Sequence, residues 1–435
     1  MSCCHYYEFI QGQESVFAVD VAAIRFGAGA LMELPDESRR LGMERIGIFT
    51  DRSVRNIEPV VSALTNLKSR GIEYELYDEV QIEPTDLSFK AAAQFAKEGR
   101  FDGYISLGGG SVIDTCKAAI LYSHYPADFL TYVNAPIGKG HPVPGSLPPH
   151  IACPTTSGTG SECTGIAVFD LLEQQVKTGI ASRSLRPSLA VIDPRCTHSL
   201  PGAVVAACGF DVMSHALESL TAIPFSDRAS PSSPELRPMS QGANPWSDMG
   251  SREALRIAGR YLERAVADAD DHEARHKMMY AATLAGIAFG NAGVHLPHGM
   301  SYSVAGLVRD FQPAGYPNEK PICPHGMSVI VNAPAAFRFT AAASAERHLE
   351  GAALIGGDLA GAGADDAGEV LAVAISRLMK ATGMPNGISE VGYGQSDLSA
   401  LAEGAFAQQR LLCNSPRPVN LQQLEEIYSS AMHYW

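Results

Sequence analysis

Short apolar runs alternate with amphipathic stretches through the first 200 residues. Residues 45–50 (RIGIFT) form one such run and end at Asp51. The pattern predicts a helix near 57–70, a strand over 74–77, a helix over 87–98 and a buried strand over 104–107 that runs into three glycines. Further strands are expected at 149–153 and 188–193. Strands alternating with helices indicate βαβ units and a mostly parallel sheet. Residues 1–198 therefore read as an α/β, Rossmann-like dinucleotide-binding domain. From Pro201 the pattern changes to long Ala-, Leu- and Glu-rich stretches at 203–222, 248–268, 271–290, 342–356, 365–382 and 396–410. With few β-branched runs among them, residues 199–435 read as an all-α domain. Two stretches, 224–247 and 302–324, carry Pro, Ser or Gly and read as irregular inserts; loops that long are uncommon and are usually functional or disordered.

At 435 residues the chain exceeds what one core holds, in keeping with two domains. It has no stretch of eighteen uncharged apolar residues, so no membrane-spanning helix is expected. The opening MSCCHYYEFI lacks the basic and apolar regions of a secretory signal and the Arg- and Ser-rich character of a transit peptide. A cytoplasmic protein is expected, or one of the mitochondrial matrix if a leader has been removed. The net charge of −14 argues against nucleic acid and anionic membranes, both of which need a basic patch. Small molecules are the expected partners. Nine scattered cysteines without a CxxC pair read as reduced thiols.

Candidate chemistry falls in two places. Gly108-Gly-Gly-Ser111 joins an apolar strand to the helical SVIDTCKAAI. Glycines there let the backbone approach a diphosphate, and a helix N-terminus supplies unpaired N–H groups and a favourable dipole. A tight structural turn has the same composition, and Asp114 and Lys117 on the next turn are equally consistent with structural roles. Asp51 at a strand end suits ribose hydroxyls and favours NAD over NADP, although a plain helix cap is the commoner role. Residues 154–162 (PTTSGTGSE) offer five hydroxyl side chains and two glycines. Farther on, Asp211 and His215 are one helical turn apart and share a face. His298 and His325 each lie in a Pro-His-Gly-Met tetrapeptide. One carboxylate and three imidazoles suit zinc or ferrous iron, and such a centre would acidify an alcohol or polarise a carbonyl. His295 is a further possible ligand on helical spacing.

Taken together, GGGSVIDTCKA, PTTSGTGSE, GFDVMSHALES, HGMSYSVAG and PHGM resemble the iron-containing (group III) alcohol dehydrogenase superfamily, over nearly the whole chain. IRFGAG, EPTDLSF, APIGKG, ASRSLRPSL, NPWSD and GNAGVHLPHGMSY resemble more narrowly a transhydrogenase branch of it. The resemblance implies a dehydroquinate synthase-like architecture, with NAD and a divalent metal, Fe2+ first and Zn2+ second. It implies Asp211, His215, His298 and His325 as metal ligands, leaving His295 outside the set. It places Asp51, Gly109, Gly110, Ser111, Thr155, Thr156, Thr159 and Lys177 along the cofactor. Many alcohol-oxidising relatives carry a second His four residues beyond the third ligand; here Tyr302 stands there, a candidate proton relay. For the transhydrogenase branch the implied reaction oxidises 4-hydroxybutyrate to succinate semialdehyde and reduces 2-oxoglutarate to 2-hydroxyglutarate on one bound NAD. The alternatives are an NAD-dependent dehydrogenase of a small alcohol or hydroxyacid and, below it, a metal-dependent lyase like the dehydroquinate synthases. A homo-oligomer is the usual state of such relatives. Arg183, Arg237 and Lys139 are candidates for substrate carboxylates, with nothing in the sequence to choose among them.

Overall fold

The computed structural model describes residues 9–174, 176–316 and 321–435, and the chain divides into two compact units. Val21–Leu200 and Ala269–Thr283 form the α/β unit; the residues up to Asp20, with Pro201–Asp268 and Leu284–Trp435, form the helical unit. The change of unit after Leu200 lies two residues from the boundary expected at 198. The N-terminal arm clusters with the helical unit because its backbone bonds to side chains there. Ala18 N–H donates to Gln241 Oε1 at 2.7 Å, and Asp20 N–H donates to Asn291 Oδ1 at 2.8 Å. Nothing in the composition of residues 1–20 announces this.

Among its described residues the α/β unit contains eight strands: β1 (Ala23–Phe26), β2 (Arg45–Phe49), β3 (Glu73–Tyr77), β4 (Gly103–Gly108), β5 (His150–Pro154), β6 (Ile166–Leu171), β7 (Val176–Ala181) and β8 (Leu189–Ile192). Four helices lie between them in the chain, α1 (Leu34–Arg40), α2 (Glu58–Ser69), α3 (Asp86–Gly99) and α4 (Gly110–His124), and residues 269–283 add the start of a later helix. Six strands make a parallel sheet in the order β1-β8-β5-β4-β2-β3, while β6 and β7 pair as an antiparallel hairpin. Alternate residues of each strand serve opposite faces. Ile46, Ile48, Ile105, Leu107 and Ile151 pack with Leu34, Val60 and Leu67 on one face. Phe49 and Tyr104 pack with Phe101, Val112 and Cys116 on the other. The chain runs outward from β2 to β3 and returns to lay β4 on the opposite side of β2. The β2/β4 pair is therefore a topological switch point, the place where ligands bind at the carboxyl ends of open α/β sheets. Asp51 follows β2 and the glycine turn ends β4. Neither β1 nor the β6–β7 hairpin was expected from the sequence.

Among the described residues no strand follows β8. The helices are α5 (Gly202–Thr221), α6 (Pro245–Ala267), α7 (His272–Ala292), α8 (Leu296–Gly306), α9 (His325–Ile330), α10 (Ala333–Thr340), α11 (Ala345–Leu354), α12 (Ala367–Ala381), α13 (Leu398–Phe406), α14 (Gln409–Leu412) and α15 (Leu421–Ser430). By length and composition α5 could cross a membrane, but 83% of its apolar window is buried inside the protein, as in a core helix. It packs against α6 and α9. The first insert ends at Asn244, whose side chain accepts from Ser247 N–H and caps α6. The second begins later than expected. Residues 302–306 belong to α8, whose Tyr302, Ser303 and Val304 are buried, so burial continues the helix past the point where the sequence turns irregular. Residues 317–320 of that insert lie outside the described residues.

Candidate metal centre and dinucleotide cradle

In the helical unit α5 presents Asp211, His215 and Glu218 at positions i, i+4 and i+7, one face of the helix. His298 and His325 sit in the first turns of α8 and α9. The repeated Pro-His-Gly has a structural reason at α9. Pro324 sets the helix start, and a Cβ on Gly326 would lie 2.0 Å from the Ala207 carbonyl oxygen and 2.9 Å from Asp211 Cβ. Only glycine lets α9 approach α5 closely enough for His325 to reach Asp211.

The Nε2 atoms of His215, His298 and His325 lie 3.6, 3.6 and 3.7 Å from Asp211 Oδ1. One donor atom from each of the four residues falls within 4.8 Å of every other. Tetrahedral ligands on bonds of about 2.1 Å lie roughly 3.4 Å apart, so this spacing suits a first-row divalent cation. Asp211 Oδ1 and His298 Nε2 are buried with no hydrogen-bond partner, a costly arrangement unless a cation satisfies them. The donor set and its orphaned atoms fit a metal.

Electrostatics sort the four. Burial opposes charge on Asp211, but the surrounding imidazoles prevail and hold its carboxyl well below the usual range. Burial drives His215 down to about 3, so that ring stays neutral with one nitrogen lone pair available. It also stacks on Phe289 with centroids 3.9 Å apart. At His298 burial is overcome by the Glu218 and Asp211 carboxylates, which raise it to about 9. Glu218 was not anticipated from the sequence. It accepts from His298 Nδ1 at 2.5 Å and from His295 N–H at 2.6 Å, orienting the ring so that Nε2 faces Asp211 while capping α8. His295 itself turns away, with its Nε2 3.0 Å from Thr221 Oγ1, and burial holds it near 4.

In the α/β unit the structure brings Gly109, Gly110, Thr156 and Thr159 together. A Cβ on Gly110 would come within 2.6 Å of Thr159, and one on Gly109 within 3.2 Å of Thr156. Thr155 N–H donates to Gly108 O at 3.1 Å, and its hydroxyl oxygen is buried without a partner. Ser111 lies in the first turn of α4, whose leading N–H groups carry the positive end of the helix dipole. A close-packed glycine turn, a buried orphan hydroxyl and a helix N-terminus fit a diphosphate and its neighbouring groups. Buried Lys117 holds this loop from beneath, donating to Ser161 O, Ser161 Oγ and Ile166 O at 2.8, 2.6 and 2.7 Å. Asp51 Oδ1 accepts from Ser53 and Val54 N–H at 2.9 and 2.8 Å, a turn cap at the end of β2. Lys177 differs from the other expected cofactor residues. Its ammonium is buried on β7 between Glu83 and Asp170, at 2.7 and 2.9 Å. Burial opposes its charge, but the two carboxylates prevail and raise its pKa.

The family model for iron-containing alcohol dehydrogenase matches residues 22–194, and that for the C-terminal part of the same family matches residues 238–432. The chain is 47% identical over 418 residues to the mitochondrial hydroxyacid-oxoacid transhydrogenase of Bos taurus, covering 96% of this chain and 90% of the relative. It is 46% identical to that of Homo sapiens, with the same coverage. Among solved structures, 1,3-propanediol oxidoreductase superposes with a TM-score of 0.83 at 28% identity, over 96% of this chain and all of the other. The alcohol dehydrogenase of Oenococcus oeni gives the same TM-score and coverage at 26% identity. Sequence likeness and shared fold agree along nearly the full length: the chain belongs to the iron-containing alcohol dehydrogenase family, metal-dependent oxidoreductases linked to NAD.

Proposed function

We propose that the chain is a hydroxyacid-oxoacid transhydrogenase. The reaction oxidises 4-hydroxybutyrate to succinate semialdehyde and reduces 2-oxoglutarate to 2-hydroxyglutarate, one hydride being exchanged between them, and a retained NAD would supply the hydride carrier. The hydroxyl proton lost in the first half balances the one gained in the second. The observation that carries the proposal is the convergence of buried Asp211, His215 and His298 with half-buried His325 in a chain 47% identical to transhydrogenases. Ferrous iron is the proposed metal, with zinc admitted by the same donors. When bound, the divalent cation supplies Lewis acidity to a hydroxyl or carbonyl oxygen, and the nicotinamide takes and returns hydride.

The chain's own residues do the rest. Asp211 and the three rings are the proposed ligands, with Glu218 fixing the His298 tautomer. The 109–111 turn and the α4 N-terminus are assigned to the diphosphate, Asp51 to ribose hydroxyls, and Thr155, Thr156 and Thr159 to neighbouring polar groups. Lys177, held by Glu83 and Asp170, is assigned to bracing the β6–β7 hairpin beside them. Buried Tyr302 lies one turn beyond His298 on α8 and is assigned to moving the hydroxyl proton. Among the candidates for substrate carboxylates, Arg237 pairs with Glu14 at 2.9 Å, while exposed Lys139 lies 3.5 Å from exposed Asp128, a surface pair that leaves its ammonium accessible. The mitochondrial location in the relatives' names and the family's habit of association extend the proposal to a mitochondrial homo-oligomer.

Purified enzyme given 4-hydroxybutyrate deuterated at its carbinol carbon and 2-oxoglutarate, without added NAD, is expected to form 2-hydroxyglutarate deuterated at C2. Absence of that product refutes the proposal. Likeness to 1,3-propanediol oxidoreductase favours a second activity, oxidation of a small alcohol with NADH released at each turnover. Its signature is growth of free NADH that an oxoacid does not increase.

A further inference from the structure

Three imidazoles outside the proposed chemistry meet within the α/β unit. His198 follows the 3-10 turn Pro194–Thr197, and His272 and His276 stand four residues apart on one face of α7. The Nε2 atoms of His198 and His276 are 2.9 Å apart, and their ring planes lie within 9° of parallel. The His272 ring stacks on His198 with centroids 3.8 Å apart and planes 4° from parallel. The backbones carrying them are tied together. Buried Arg275 on α7 donates to Thr197 O at 2.7 Å and Leu200 O at 3.1 Å, on either side of His198.

We infer that His198, His272 and His276 form a second transition-metal site, selective for imidazole-preferring divalent cations such as Cu2+, Ni2+ and Zn2+ and separate from the Asp211 centre. The Nε2 atoms of His198 and His276 now face one another nearly in line across a hydrogen bond, with ring centroids 5.1 Å apart, and a swing of the two rings turns both lone pairs toward one cation on bonds of about 2.1 Å. Both donors are in their neutral form near pH 7. Burial together with the neighbouring imidazoles lowers His198 to about 4, and His276 is lowered chiefly by burial. The charged groups around the cluster are already engaged: Arg275 with backbone carbonyls, and Asp193 with Arg195 at 2.6 Å. Coordination also requires that the proton shared between the two Nε2 atoms move to the donor ring's own Nδ1, and no oxidant or further reactant is needed. His272, exposed at the helix start, supplies a third nitrogen by rotating from its stack. A bound ion would clamp residues 194–200 to α7.

The test is a calorimetric titration of the enzyme, carrying its resident metal, with Ni2+, together with elemental analysis. One Ni2+ per chain beyond the resident metal is expected, with the resident metal and the activity retained. H198A and the size-preserving H276Q are expected to weaken that binding at least about tenfold, and H272Q to weaken it less. The melting temperature of the wild type, and not of H276Q, is expected to rise with Ni2+. No Ni2+ beyond the resident ion, Ni2+ that merely displaces it, or variants that bind as the wild type does would each overturn the inference.

Discussion

Glu218 shows how a single carboxylate sets a metal centre it does not join. Its two oxygens fix the ring of His298 and the first backbone N–H groups of α8. Replacing it with Gln keeps the volume but removes the charge that holds the Nδ1–H donor. E218Q is expected to fold and to lose metal affinity by roughly 10–100-fold, the usual effect of removing a partner that orients a ligand. Competition with a graded series of chelators measures it, and affinity equal to wild type would show that His298 needs no such partner. The residue was within reach of the sequence, since Asp211, His215 and Glu218 follow one helical face. Ligand spacing alone identifies only groups that touch metal, and the need for an orienting acid follows only from the placement of His298 in the fold. The glycine of Pro-His-Gly-Met was likewise readable as a motif, but its cause, the contact with Ala207, is tertiary.

Elements with strong periodicity were legible, and those shaped by long-range contacts were not. The buried strands β2, β4, β5 and β8 and the long helices α5 to α7 follow from apolar runs and helical composition alone. The four-residue β1 is defined by pairing with β8, and the β6–β7 hairpin lacks the Asn-Gly or Asp-Gly signal of a tight turn. Short helices such as α9 are held by packing against α5 and carry too few turns to show a period. The 154–163 loop illustrates the difference: its hydroxyls were legible, the burial of Glu162 within it was not. Burial, acting against Lys117 and local hydrogen bonds, raises Glu162 from an ordinary 4.5 to about 7. The folded chain therefore keeps this proton where the unfolded chain has released it. The resulting stability is fully present below about pH 4.5 and is lost as pH rises through 7. The shift corresponds to a loss on the order of 3 kcal/mol. E162Q is uncharged throughout, so its melting temperature relative to wild type is expected to climb between pH 5 and pH 8. A difference that does not change with pH would mean that Glu162 ionises normally.

At the scale of the whole molecule the dominant quantity is a net charge of −14, set against proposed substrates that are themselves anions. Long-range repulsion lowers the local concentration of an anion and slows its arrival, and added salt screens that field over a Debye length of about 10 Å at 0.1 M. Ion pairs buried within the protein are screened much less, so they should survive such salt. The kcat/KM for 2-oxoglutarate, a dianion, should therefore rise as ionic strength increases from about 0.01 to 0.15 M. The gain for 4-hydroxybutyrate, a monoanion, should be about half as large on a logarithmic scale, because the work of approach scales with substrate charge. A neutral alcohol substrate provides the control and should show little change. Steady-state rates at low substrate, with a non-coordinating salt and the same buffer, distinguish the cases. If kcat/KM falls with salt for both acids, unpaired cations near the entrance outweigh the global charge, and the search for the carboxylate-binding residues should begin there. If neither acid responds, arrival contributes nothing to the measured rate, and selectivity for hydroxyacids rests wholly on contacts formed after binding.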